Sequence, residues 1–109
     1  MKRGELYRVT SGAMTDTKKQ RVYVIVSRQE LIDNVYSTLI CAPVYTNFEG
    51  LSTQVPVGIE EGLKHPSAIR CDELISILKI RLTDYIGILS EKKLMELKQA
   101  LSISVGIDI

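Results

Sequence analysis

The chain has 109 residues, 45% hydrophobic and 25% charged, with 14 basic against 13 acidic side chains and a formal charge of +1. That length suits one small domain, residues 1–109, and the near-neutral charge excludes a global pull toward nucleic acid, so any anion site must be local. No stretch reaches the ~20 apolar residues of a membrane span. Met1-Lys2-Arg3-Gly4-Glu5 has no apolar signal region, and a cytoplasmic protein is expected.

The first strand is predicted from Glu5 to Thr10, alternating after Gly4. Residues 10–20 are small and polar without a period, so they read as a mobile loop; Lys18, Lys19 and Arg21 cluster at its end. Arg21 to Ser27 (RVYVIVS) is β-branched and apolar on both faces, as a central strand would be. Gln29 to Asn34 predicts a short helix or turn. Val35 to Tyr45 is a second long strand, whose Pro43 cannot donate to a ladder and implies a bulge or an edge. Thr46-Asn47-Phe48-Glu49-Gly50 then turns the chain.

Ser52 to Gly58 alternates again, and Pro56 places it at an edge. Glu60 to Pro66 reads as a loop holding His65, a surface histidine on this reading. Ser67 to Leu78 is expected to continue as strand, followed by a turn or short helix to Thr83 and another strand from Asp84 to Leu89. Ser90 caps a final helix, with Glu91 in its first turn and Leu94, Leu97, Ala100 and Leu101 on one apolar face; Gly106 stops it. Five or six strands and one terminal helix predict a mainly β, α+β fold: a small, strongly bent antiparallel sheet closing toward a barrel.

Cys41 and Cys71 sit inside apolar runs and read as reduced core residues. With one histidine and no CxxC or HxxxH spacing, no metal or other cofactor is expected. Phosphate loops and nucleophile elbows are also missing from the sequence, which gives nucleotide hydrolysis and acyl transfer no local support.

Three polar stations remain. They are Arg21 at the start of a central strand, Thr46 just past the end of another, and Arg70 with Asp72. Strand alternation would point Arg70 and Asp72 one way and Ile69 and Cys71 the other. By spacing alone that pair reads first as an exposed ion pair. It could also serve a phosphodiester, because metal-free RNA cleavage needs a base for the ribose 2′-hydroxyl, an acid for the leaving oxygen and fixed positive charge for the phosphorane.

Over almost its full length the chain resembles the MazF/PemK/Kid toxins. The resemblance runs through Arg3-Gly4-Glu5-Leu6-Tyr7, Arg21-Val22-Tyr23-Val24-Ile25-Val26, Ala42-Pro43-Val44-Tyr45-Thr46, Arg70-Cys71-Asp72, Arg81-Leu82, Ile86-Gly87 and Ala100-Leu101. It implies an SH3-like barrel of the CcdB/Kid/MazF kind. It also implies a homodimer that cuts single-stranded mRNA sequence-specifically and without metal, leaving a cyclic phosphate and a 5′-hydroxyl, under the control of an acidic MazE/PemI-like antitoxin.

Carried over on that resemblance, Arg21 and Thr46 match a MazF-type catalytic pair, and Arg70 and Asp72 a Kid-type acid and base. Lys18, Lys19, Arg21, Thr46, Asn47 and Glu73 are the residues expected along the RNA. Val22 stands where the family usually has Pro, and Glu73-Leu74-Ile75-Ser76 where Gln-x-Arg-Thr is common. Two other classes stay open: a catalytically weak or dead RNA- or partner-binding member, and a CcdB-like gyrase-directed toxin. The latter ends in Trp-Gly-Ile, whereas this chain keeps Gly106-Ile107 and has no Trp.

Overall fold

The structure is a computed structural model and describes residues 1–10 and 20–107. Most of the loop expected over residues 10–20, with Lys18 and Lys19, lies outside the described residues. Seven strands and two helices are described: β1 (Glu5–Thr10), β2 (Gln20–Ile25), α1 (Gln29–Ile32), β3 (Thr38–Tyr45), β4 (Gln54–Val57), β5 (Ser67–Arg70), β6 (Ile75–Leu78), β7 (Asp84–Ile88) and α2 (Glu91–Ser104). All pairings are antiparallel, in the order β4-β5-β3-β2-β1-β7, with β6 also beside β3.

β2 is central, as its two-sided apolar pattern requires. Val24 and Val26 join Leu6, Ala42, Val44, Val55 and Ile69 in a core that Leu97 and Ala100 of α2 cover. Ile25 points the other way, into a second core with Tyr7, Leu39, Cys41, Ile77 and Leu82. A sheet apolar on both faces needs cover on both, and here α2 supplies one side while β6 and the turn after it supply the other.

Two expectations are corrected. The run from Ser67 to Leu78 is not one strand: a 3-10 turn at Cys71–Glu73 interrupts it, and the chain resumes as β6. Cys71 is 1% exposed and drops into the first core, and this turns the backbone out of the β5 ladder. The second long strand begins at Thr38 rather than Val35, whose side chain is 99% exposed and has nothing to pair against.

Pro43 lies in a central strand rather than at an edge. β3 pairs with β6 through Thr38–Cys41 and with β5 only at Val44 and Tyr45, so Pro43 falls in the gap where a missing donor costs least. Pro56 does mark an edge, since β4 ends the sheet.

Ser90 caps α2 as its sequence predicts, its hydroxyl accepting the Lys93 N–H at 3.2 Å. Gly106 follows with φ 74°, a left-handed conformation that releases the chain from the helix. Leu97 is fully buried, so Leu97→Ala is expected to cost about 2–5 kcal/mol through lost contacts and a cavity. Urea or thermal unfolding checks it; a loss under 1 kcal/mol would mean that α2 does not seal this core.

Candidate active site

The ends of β2 and β3 and the loop leading into β5 enclose an open groove of about 410 Å³. Arg8, Arg21, Thr46, Lys64, His65 and Ser67 supply its polar wall, over a floor of Val22, Val44 and Leu63. The register explains how distant residues meet. Val22 stands opposite Val44, so one step further along the two strands puts Arg21 across from Tyr45. Tyr45 in turn stands opposite Ala68, two residues before Arg70 on the same side of β5. Arg21, Tyr45 and Arg70 therefore form a row across three strands.

Lys64 and His65 are held by a tight loop. Glu61 is 4% exposed, and its Oε1 accepts the Gly58 N–H at 2.6 Å. Gly62 adopts φ 94°, where a side chain would also meet the Ile86 carbonyl, and a Cβ at Gly87 would collide with the Glu61 carbonyl. The loop is thus seated on β7. Ser67 Oγ then donates to the His65 carbonyl at 2.9 Å, fixing the backbone where it enters the groove.

The charges are unevenly partnered. Arg8 is paired with Asp84 at 3.4 Å. Arg70 directs Nη1 to Glu73 and Nη2 to Glu49, both at 3.3 Å. Among the described residues, Arg21 and Lys64 have no carboxylate partner. The groove therefore holds two cations without a carboxylate partner among the described residues, on a chain of net charge +1.

The guanidinium carbons of Arg21 and Arg70 lie 4.3 and 4.2 Å from the centre of the Tyr45 ring. Because β3 runs between β2 and β5, the two approach the ring from opposite sides. Each contact contributes about 0.5–1 kcal/mol at an exposed site. The Tyr45 hydroxyl donates to Glu73 Oε1 at 3.1 Å; burial, then this bond, raises its pKa above the ordinary phenol value, so it stays a donor.

Of the residues singled out from the sequence, Arg21 and Thr46 share the groove, and Arg70 stands behind Arg21 across Tyr45. Arg70 and Asp72 do not pair on one strand face. Asp72 lies in the 3-10 turn, where its Oδ2 accepts from Thr53 Oγ1 at 2.6 Å, while Glu49 and Glu73 take the Arg70 fork. Asn47 is exposed just past Thr46. Glu73 is tied to Arg70 and Tyr45.

Sequence reasoning passed over Arg8, Lys64 and Tyr45 as site residues. The available signal was the position of Tyr45, next to Thr46 and opposite Arg21 in register. His65 is on the surface as expected, and it also lines the groove. Cys41 and Cys71 are free and buried, and burial pushes their thiols up to about 12 and about 11, so neither is a nucleophile near neutral pH.

A curled antiparallel sheet carrying a cationic groove at one end, backed by a C-terminal helix, defines a class of small toxins. Residues 2–105 match the model of the PemK-like, MazF-like toxins of type II toxin-antitoxin systems, and the chain belongs to that family. It is 29% identical over 85 residues to endoribonuclease MazF3 of Mycobacterium tuberculosis, covering 78% of this chain and 82% of that one. It is also similar in structure to the Mycobacterium tuberculosis toxin MazF-mt6, with a TM-score of 0.82, 26% identity, and coverage of 96% and 99% of the two chains. A mycobacterial endoribonuclease solved with its cognate antitoxin shares the fold, with a TM-score of 0.79 at 20% identity and coverage of 98% and 94%.

Proposed function

We propose that this protein is the toxin of a type II pair and an endoribonuclease that cuts single-stranded mRNA. Family membership and the endoribonuclease relative support the class. The observation that carries the reading is Arg21, a cation with no carboxylate partner among the described residues, facing an open groove beside Thr46 and Lys64.

In this reading Arg21 clamps the scissile phosphate, and the Thr46 hydroxyl donates to one of its oxygens. The ribose 2′-oxygen attacks phosphorus and gives its proton to Asp72. The bond from phosphorus to the 5′-oxygen breaks, and the departing oxygen takes a proton from solvent water, leaving a cyclic phosphate and a 5′-hydroxyl. Among the described residues Asp72 Oδ1 accepts no hydrogen bond, so this oxygen is open to the incoming proton. Arg70, held by Glu49 and Glu73, braces the site from behind Tyr45, since a guanidinium is a poor proton donor near neutral pH. Lys18, Lys19, Asn47 and Glu73 are the residues proposed to contact the flanking nucleotides.

One observation favours a variant of this chemistry. His65 lines the groove with Arg21 and Thr46, whereas Asp72 does not, and imidazole is the side chain whose proton moves most readily between pH 5 and 8.

The test is to incubate the purified protein with a mixed RNA in EDTA and map the ends. Cleavage is expected to persist, because the positive charge comes from side chains. A 2′-O-methyl group at the cut site is expected to stop it, and cutting of the methylated RNA would remove the proposed nucleophile.

The reading includes a homodimer and a cytoplasmic setting. Tyr36, Ile40 and Leu78 are 57%, 42% and 45% exposed on adjoining stretches of β3 and β6 and the residues before β3, an apolar patch that a second copy would cover. Sedimentation at micromolar concentration is expected to show the dimer; a monomer would leave that patch unexplained. Among the described residues no helix is long and apolar enough to cross a membrane. The partner is an acidic antitoxin segment that competes with RNA for Arg21 and Lys64.

A further inference from the structure

We propose that Tyr45 is the positioning residue of this site, holding Arg21 in place for phosphate by carrying the fixed position of Arg70 across its ring. The inference rests on the RNA-cleaving reading and divides the labour of the two arginines within it.

The fork of Arg70 is engaged. Its two terminal nitrogens each meet a carboxylate, and its Nε is buried with no hydrogen-bond partner among the described residues. A phosphate reaching Arg70 would have to displace Glu49 or Glu73, and it would be repelled by the one that remained. Arg21 has neither competitor among the described residues, and its only described side-chain contact of this kind is the ring. An exposed arginine left to itself samples many rotamers, and each must be lost again when the phosphate binds.

The ring limits that freedom. Tyr45 is itself held at its far end, because its hydroxyl donates to Glu73, which also grips Arg70. Glu49 and Glu73 thereby fix Arg70, Arg70 and Glu73 fix the ring, and the ring fixes Arg21. The negative charge of Glu73 completes this closed set.

The experiment compares Tyr45→Leu and Tyr45→Phe, measuring kcat and KM on one RNA oligonucleotide that the parent cuts. Tyr45→Leu is expected to lower kcat by about tenfold to a hundredfold, the range in which small misplacements of a catalytic group fall. Tyr45→Phe keeps the ring between the two guanidinium groups but loses its hydroxyl anchor to Glu73, and is expected to cut more slowly than the parent, by about threefold, and clearly faster than Tyr45→Leu. Adding Arg21→Ala to Tyr45→Leu should slow cleavage no further than Arg21→Ala alone, because the ring acts through that arginine. Independent losses that multiply, or a Phe variant as slow as the Leu variant, would overturn the proposal.

Proton NMR of the side chains provides a readout that needs no activity. The δ-methylene protons of Arg21 and Arg70 should be shifted upfield by the ring in the parent and in Tyr45→Phe, and should return to ordinary values in Tyr45→Leu. Should the Leu variant not fold, Tyr45→Met serves as the ring-less form. If the parent cuts no RNA while these shifts are present, the function reading fails and the clamp stands; if the shifts are missing in the parent, the clamp fails.

Discussion

Arg21→Ala is expected to lower RNA cleavage by about two orders of magnitude or more, with the fold and thermal stability nearly unchanged. The magnitude is that of removing a preorganised charge from developing negative charge on phosphorus. The stability expectation follows from exposure, since Arg21 is exposed and makes no ion pair among the described residues. Thr46→Ala removes one hydroxyl donor and should cost less. Arg21→Lys is informative because an ammonium keeps the charge but loses the planar stack on Tyr45 and the bidentate fork. It should recover only part of the rate. Single-turnover cleavage of a labelled oligonucleotide measures all three, and an Arg21→Ala variant that folds and cuts like the parent would place the active site elsewhere.

Asp72→Asn is expected to produce the second large effect, again about two orders of magnitude, because an amide cannot accept the 2′-hydroxyl proton. Asn keeps an oxygen for the Thr53 hydroxyl, so the 3-10 turn that carries it should survive. His65→Gln is the companion variant. If Asp72 is the base, His65→Gln lowers the rate less than Asp72→Asn does. If instead His65→Gln gives the loss of about two orders of magnitude and Asp72→Asn cuts normally, proton transfer belongs to the groove histidine. That outcome has a structural basis, since His65 and not Asp72 lines the groove.

Both variants depend on a site that spacing only partly reveals. Period-two alternation was enough to recognise β2 as two-sided and central, because Val24 and Ile25 must each find cover on opposite faces. Local chemistry likewise placed the Ser90 cap, the Gly106 stop and the edge at Pro56, since each depends only on a residue and its immediate neighbours. The order of weak motifs pointed to the toxin family, and Arg21 and Thr46 were found to share one groove.

Alternation misled at Arg70 and Asp72, because a strand pattern assumes that the ladder continues. The burial of Cys71 in the first core breaks it and sends Asp72 toward Thr53. Tertiary structure alone decided which charges remained available. Glu73 lies only three positions from Arg70, but Glu49 comes to it from the turn after β3, and Asp84 reaches Arg8 across 76 positions, so a local reading could not subtract those two. The same holds for Tyr45 and His65, whose neighbours are set by strand register and by the loop seated on β7. The sequence by itself determined where the strands, caps and cations lie, because these follow from the preferences of each residue and its neighbours. Folding determined which cations have no carboxylate among the described residues, because that depends largely on contacts between residues far apart in the chain.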